Sequence, residues 1–244
     1  MSDLDALFTL HSGLLREAPG SDATTLRALE ATGLSGAISV ADMGCGPGAA
    51  SLMLAQALPG AQITAIDLHQ PYLDALEARA QAAGVAGQIT TSASDMAHPP
   101  LAAASQDLIW CEGALYFLGV TEGLSTWKPL LKPGGRVVFS EVVWLTDEPP
   151  KDAALMWMEY PAMTTRAGVL DRISAAGFSC LHDFQQPDSD WREYLGPLGA
   201  RAAALRPEAD EALRAVLDGA EQEASLFERH GDAYGYQMFI TEPA

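Results

Sequence analysis

Ala37-Ile38-Ser39-Val40-Ala41-Asp42-Met43-Gly44-Cys45-Gly46-Pro47-Gly48 is the stretch whose reading decides the fold. Its first half is a short strand, and three glycines at every second position then break it. From about Pro47 to Leu58 an apolar, alanine-containing run reads as a helix, stopped by Pro59-Gly60. Glycine lets the chain turn sharply and lets backbone approach a ligand closely. Pro47 suits the first turn of a helix, where a missing N–H costs nothing. The helix N-terminus then offers free N–H groups to a polar or anionic ligand.

Downstream the pattern repeats. Gln62–Ile66 is a second strand ending at Asp67, and Pro71 opens a helix to about Ala83 with Tyr72, Leu73, Leu76 and Ala80 on one face. Gln88–Thr91 and Asp107–Cys111 are further strands. A helix from about Glu122 to Leu131 runs into Lys132-Pro133-Gly134-Gly135, and Arg136–Glu141 is a fifth strand. Strands alternating with helices at this spacing imply a parallel sheet wound with right-handed crossovers. Short continuous apolar strands are what a sheet covered on both faces requires. Upstream, Leu4–Leu10 and a stretch capped by Ser21 or Asp22 read as two helices separated by Pro19-Gly20. Later, residues 152–160 and 164–176 read as helices and Phe178–Phe184 as a sixth strand. Residues 187–232 read as helical, interrupted by Pro197 and Pro207, and Tyr234–Ile240 as a last strand.

The chain has 244 residues, which fits one domain. It divides into an N-terminal helical cover (1–36), an α/β core (37–186), a helical insertion (187–232) and a terminal strand (233–244). Its 32 acids against 14 bases give a net charge of −18. Such a surface repels phosphate backbones and anionic membranes, so neither nucleic acid nor membrane is expected as a partner. Cys45, Cys111 and Cys180 form no C-x-x-C, so neither a disulfide framework nor a metal site is expected. No secretory signal or 18-residue apolar run is read, which points to the cytoplasm.

The loop admits two readings. Gly44, Gly46 and Ala49 satisfy a loose dinucleotide fingerprint, and Asp67 at the next strand end suits a ribose under either reading. Asp42 two residues before Gly44, Ser94-Asp95-Met96 after the third strand, Asp107–Trp110 and Leu131–Gly135 tip the balance. In that order they resemble the class I S-adenosylmethionine-dependent methyltransferases. Ile109–Tyr116, Trp127, Ser140-Glu141, Trp144 and Tyr160-Pro161 are similar to a bacterial small-molecule branch of that family, as is the Arg16…Pro19-Gly20-Ser21 stretch. Phe117 departs from it, where the branch often carries a polar residue.

The resemblance implies a Rossmann-like, seven-stranded, mostly parallel sheet with the last strand antiparallel, helices on both faces and a helical cover over the site. It implies S-adenosylmethionine as cofactor, S-adenosylhomocysteine as product, and a small-molecule acceptor. The implied cofactor-binding residues are Arg16, Asp42, Gly44, Cys45, Gly46, Gly48, Asp67, Leu68, Asp95, Met96, Glu112 and Gly113. His11, Glu112 and Tyr160 are the candidates for catalysis. Each has a plainer reading: Asp42 as a cap for loop amides, Asp95 as a turn residue, Glu112 as a salt-bridged carboxylate, His11 and Arg16 as surface groups. Cys45 reads as a small residue with no chemistry of its own; Cys111 and Cys180 read as buried. Trp110, Met156, Trp157 and Met158 read as core, and His69, His98, His182 and His230 as solvated. A nicotinamide oxidoreductase is the first rival, though no Tyr-x-x-x-Lys is present. A non-catalytic cofactor-binding module is the second. Neither the acceptor nor the oligomeric state is legible.

Overall fold

A computed structural model describes residues 2–244. Two helices lead, α1 (Asp3–His11) and α2 (Asp22–Thr32). The Ser21 hydroxyl accepts from Thr24 N at 3.2 Å, and Gly33 ends α2 in the left-handed conformation. Then come β1 (Ser39–Met43), α3 (Ala49–Ala57), β2 (Gln62–Asp67), α4 (Gln70–Ala82), β3 (Ile89–Ala93), β4 (Gln106–Cys111), α5 (Val120–Trp127) and β5 (Leu131–Trp144). The chain closes with α6 (Lys151–Met156), β6 (Thr164–Thr165), α7 (Arg166–Ala175), β7 (Phe178–Gln185), α8 (Asp188–Leu205), α9 (Glu211–His230) and β8 (Tyr234–Pro243).

The sheet order is β3-β2-β1-β4-β5-β8-β7, with β6 paired to the end of β5. Strand β8 runs antiparallel to both its neighbours and the other pairings are parallel. The expected sheet is therefore present, with the two-residue β6 as an eighth strand that a pattern search passes over. Order reverses between β1 and β4, and the carboxyl ends of β1, β2 and β4 are level: Met43 pairs with Ile66 and Asp42 with Trp110. Ligands bind at this switch point in open α/β sheets.

Three apolar cores hold the molecule. On one sheet face Leu29, Leu54, Leu73, Leu76, Val138 and Met238 pack together. On the other are Leu124, Trp127, Val137, Phe139, Val169 and Ile173. The third joins α1, α8 and α9 to the upper part of β8 through Leu10, Trp191, Leu217, Phe227, Tyr234 and Tyr236. Trp191 stacks on Phe227 at 4.6 Å and meets Tyr234 and Tyr236 at 5.6 Å each. Of the first 36 residues, α1 thus shares a core with the later helices, while α2 lies against the sheet.

Several boundaries differ from expectation. Helix α5 stops at Trp127 and continues as a 3-10 turn containing Pro129, because proline offers no N–H to the helical ladder. Strand β5 is longer than expected, from Leu131 through Trp144. Pro197 does not interrupt α8, which runs through it, whereas Pro207 lies in the turn that ends it. Cys180 is half-exposed rather than buried. Met158 is 68% exposed and outside the core. His69 is half-buried, stacked on Phe8 at 3.6 Å and edge-on to Tyr72 at 4.5 Å, so α1 rests on it.

Candidate functional site

The loop after β1 has positive φ at Gly44 (+66°), Gly46 (+52°) and Gly48 (+84°). A Cβ on Gly44 would come 2.5 Å from the Ala114 Cβ and 3.6 Å from Met96 Sδ, and one on Gly48 would strike Leu76. The loop is pinned from inside. Cys45 N donates to Ile66 O at 3.0 Å and Gly46 N donates to Asp67 Oδ2 at 2.9 Å. Asp67 Oδ1 accepts from His69 N at 2.8 Å. A carboxylate has about four acceptor sites, so Asp67 can tie loop to strand and still accept from a ligand. Leu68 beside it is 72% exposed.

Asp42 is 1% exposed, and its Oδ2 accepts from Ser51 Oγ at 2.6 Å on α3, so it sits behind the loop. Burial, aided by Glu112 and Asp67, pushes its carboxyl up to about 7. A carboxyl raised in the folded state keeps its proton after the unfolded chain has lost its own. Its contribution to stability is thus greatest below pH 4 and declines as pH rises toward 7. Asp42→Asn is expected to flatten that part of the decline, read by urea unfolding at pH 4.5, 5.5 and 7. An unchanged slope would show that Asp42 is ionised in the folded protein. Cys45 is buried too, and its thiol is pushed well up by burial and by the Asp42 and Asp67 carboxylates, so it is no thiolate nucleophile.

Asp95 is exposed, and its Oδ1 accepts from Ala97 N at 2.8 Å, the turn arrangement of its plainer reading. It nevertheless follows β3, whose end pairs with Asp67. Met96 turns its sulfur toward Gly44 and its carbonyl accepts from Trp127 Nε1 at 2.8 Å.

Glu112 gathers three donors. Oε1 accepts from Trp110 Nε1 at 2.9 Å and Thr25 Oγ1 at 2.7 Å, and Oε2 from Arg16 Nη1 at 3.3 Å. Arg16 also reaches Asp22 at 2.9 Å. Both Arg16 and Glu112 are nearly enclosed, with 12% and 9% of their side chains exposed. Arg16 is therefore no surface group, and Glu112 is salt-bridged. Gly113 follows with φ +69°, its N–H on Ser140 Oγ at 2.8 Å, and a Cβ there would strike Ala18.

The segment from His11 to Gly20 thus lies across the glycine loop. Its Glu17 was not singled out in the sequence. The Glu17 Cγ lies 3.3 Å from where a Gly46 Cβ would stand, and Oε2 contacts His11 Nδ1 at 2.5 Å. Arg79 of α4 holds the segment down, donating to Leu15 O at 3.2 Å and Pro47 O at 2.7 Å.

Tyr160 lies in the segment between α6 and β6. Its ring lies 5.8 Å from Tyr116. Its hydroxyl is turned to Glu141 and Arg172, and burial with the Glu141 charge pushes it up. Glu141, 2% exposed, is the second acid that sequence reasoning used only as part of a motif. On α9, Glu223 faces His11. No local sequence signal marks either glutamate, since only tertiary packing turns them inward.

The glycine loop meets Glu17, Ala114 and Met96, Ala18 lies against Gly113 after β4, and an acid stands at the end of each of the first two strands. Residues 40–135 match the profile of a methyltransferase domain. The trans-aconitate 2-methyltransferase of Streptomyces avermitilis is 29% identical over 214 residues, spanning 75% of this chain and 79% of that one. A Geobacter sulfurreducens S-adenosylmethionine-dependent methyltransferase bound to S-adenosylhomocysteine superposes with a TM-score of 0.85 at 19% identity, covering 98% of each chain. A Thiobacillus denitrificans counterpart, also bound to S-adenosylhomocysteine, gives 0.83 at 21% identity, covering 97% of each. The chain thus carries a methyltransferase domain and has the fold of S-adenosylmethionine-dependent methyltransferases.

Proposed function

We propose that this methyltransferase modifies a small molecule enclosed beneath α1, α8 and α9, in the cytoplasm. The observation that carries this reading is the cover itself. The His11–Gly20 segment lies over the glycine loop, and α1, which leads into it, shares one apolar core with α8 and α9. A covered site suits a metabolite-sized acceptor.

In this reading Gly44, Cys45, Gly46 and Gly48 give the cofactor a backbone surface, and Asp67 accepts from its ribose hydroxyls. Leu68, Asp95 and Met96 flank the adenine, and Gly113 with Arg16 faces the amino-acid end. Asp42 acts from behind, by holding α3 to the loop through Ser51. Glu112 acts through Arg16, which it positions. His11 and Tyr160 stand where an acceptor enters. When bound, S-adenosylmethionine supplies a methyl carbon that is already electrophilic, so the protein's task is orientation and exclusion of water. Orientation alone is worth roughly 7–11 kcal/mol of barrier in favourable cases.

Transfer of labelled methyl from S-adenosylmethionine into a fractionated metabolite extract tests the reading. Label should appear in low-mass products and depend on the protein. Label found in macromolecules alone would overturn it. Because acids outnumber bases 32 to 14, tRNA, rRNA and duplex DNA should show no micromolar binding by fluorescence anisotropy at physiological salt. Salt-sensitive micromolar affinity would move the acceptor from a metabolite to a base.

Excising residues 187–232 would not test the cover cleanly. It would remove Trp191, Leu217 and Phe227 from the core that also holds Tyr234 and Tyr236. Point substitutions on the inner face of α9 are the sound route.

A further inference from the structure

Beyond the end of β4, strand β5 continues with one edge on β8 and the other open until Val143, where β6 pairs with it. Glu141 lies in that gap. It is 2% exposed; the Tyr160 hydroxyl and the Val142 N–H are turned toward it, but neither is placed well enough for a hydrogen bond, so both carboxylate oxygens and that hydroxyl are left without a partner. A buried polar group without partners costs several times what a satisfied one does. A hydrogen-bond donor would satisfy these oxygens.

The surroundings define what it is. Tyr116 and Tyr236 both feel the charges of Glu141 and Glu223, so the two acids lie in the neighbourhood of the same tyrosines. The basic groups beside these acids are Arg172 on α7, toward Glu141, and His11, toward Glu223. Around Glu141 the titratable groups are Tyr160, Arg172, Tyr116, Tyr236 and Cys111. An anionic acceptor is repelled here; a cation gains from both acids and from the faces of the rings. The approach is apolar: Phe117, packed on Tyr116 at 4.1 Å, is 71% exposed, and Met158, two residues before Tyr160, is 68% exposed.

We propose that Glu141, with the Tyr160 hydroxyl beside it and the charge of Glu223 nearby, receives the ammonium group of an amine acceptor carried on an apolar body. This rests on the methyltransferase reading of the site and names the acceptor class within it. An ammonium has no lone pair to give. Glu141 takes one proton: the N–H bond breaks, an O–H bond forms on the carboxylate, and the electron pair stays on nitrogen, ready for the methyl carbon. Burial pushes the Glu141 carboxyl up to about 7, where it both accepts a proton and returns it. The same arrangement disfavours a polycarboxylate such as the one named for the Streptomyces avermitilis relative.

The test uses the intact protein saturated with S-adenosylhomocysteine and three isosteric probes: phenethylamine, 2-phenylethanol and phenylacetate. S-adenosylhomocysteine binding is measured first by calorimetry, and its absence would count against the class reading of the site rather than the acceptor class. With the cofactor product bound, phenethylamine should bind about tenfold or more tighter than either isostere, the size of one charge-assisted hydrogen bond. Glu141→Gln should abolish that preference, and Tyr160→Phe should reduce it, with S-adenosylhomocysteine affinity unchanged in both as proof of folding. Equal binding of the three probes, preference for phenylacetate, no binding of the amine, or an intact preference in Glu141→Gln would each overturn the proposal.

Discussion

Gly46→Asp should lower the affinity for S-adenosylhomocysteine by about a hundredfold or more, measured by calorimetry on the folded variant. Three effects act together. A side chain at φ +52° carries a left-handed strain of roughly 1–2 kcal/mol. The new Cβ presses on Glu17 Cγ at 3.3 Å, wedging the N-terminal segment off the loop. The new carboxylate lies between Glu17 and Asp67, and two like charges near 4 Å repel by about 4 kcal/mol at an effective dielectric of about 20. What lowers affinity is the part of this cost felt only when the N-terminal segment closes over the bound ligand; about 2.7 kcal/mol of it is a hundredfold. Gly46→Ala keeps the strain and the wedge without the charge, and should lose about tenfold. Unchanged affinity in Gly46→Asp would place the ligand elsewhere.

Glu112→Ala should be among the most destabilising single changes in the protein. It leaves the Arg16 guanidinium, 12% exposed, without its buried partner, and frees the Trp110 and Thr25 donors. Breaking a buried pair from one side costs about 3–5 kcal/mol. The remaining Asp22 contact, on a side chain 70% exposed, offsets little, so about 3 kcal/mol is expected. At this size that is a fall in Tm of about 6–12 °C. Glu112→Gln retains an acceptor for Trp110 and Thr25 and should fall less. If Glu112 acts through Arg16, cofactor affinity should track Arg16→Met and not fall independently. A Glu112→Ala protein with wild-type Tm would show that the network is not a structural anchor.

Much of this enzyme was legible as sequence because it is local. Each strand of the α/β core is a short apolar run, and each crossover helix has its own breaker, so periodicity suffices. The glycine loop is legible for the same reason: Gly44, Gly46 and Gly48 lie within five residues, and Asp67 follows at the next strand end. Boundaries slipped where a residue's usual role was overridden. Pro197 was expected to interrupt a helix and sits inside α8, since tertiary burial of Trp191, Leu195 and Leu198 on its flanks outweighs one lost hydrogen bond.

Side-chain partnership is what the linear chain does not carry. Glu112 and Arg16 are 96 residues apart, and only the return of the N-terminal segment over the sheet edge makes them a pair. Glu17 looks like any acid among 32 until that segment folds onto Gly46. Glu141 looks like an ordinary acid at the end of a strand. It is the stopping of β4 at Cys111, the late start of β6 and the arrival of Tyr160 that leave it buried and unpaired. The sequence by itself determined the sheet, the loop and the class of chemistry, because short-range pattern encodes them. The tertiary structure alone decided which acids are paired anchors and which are buried without a partner, because burial and charge pairing are properties of residues brought together from distant parts of the chain.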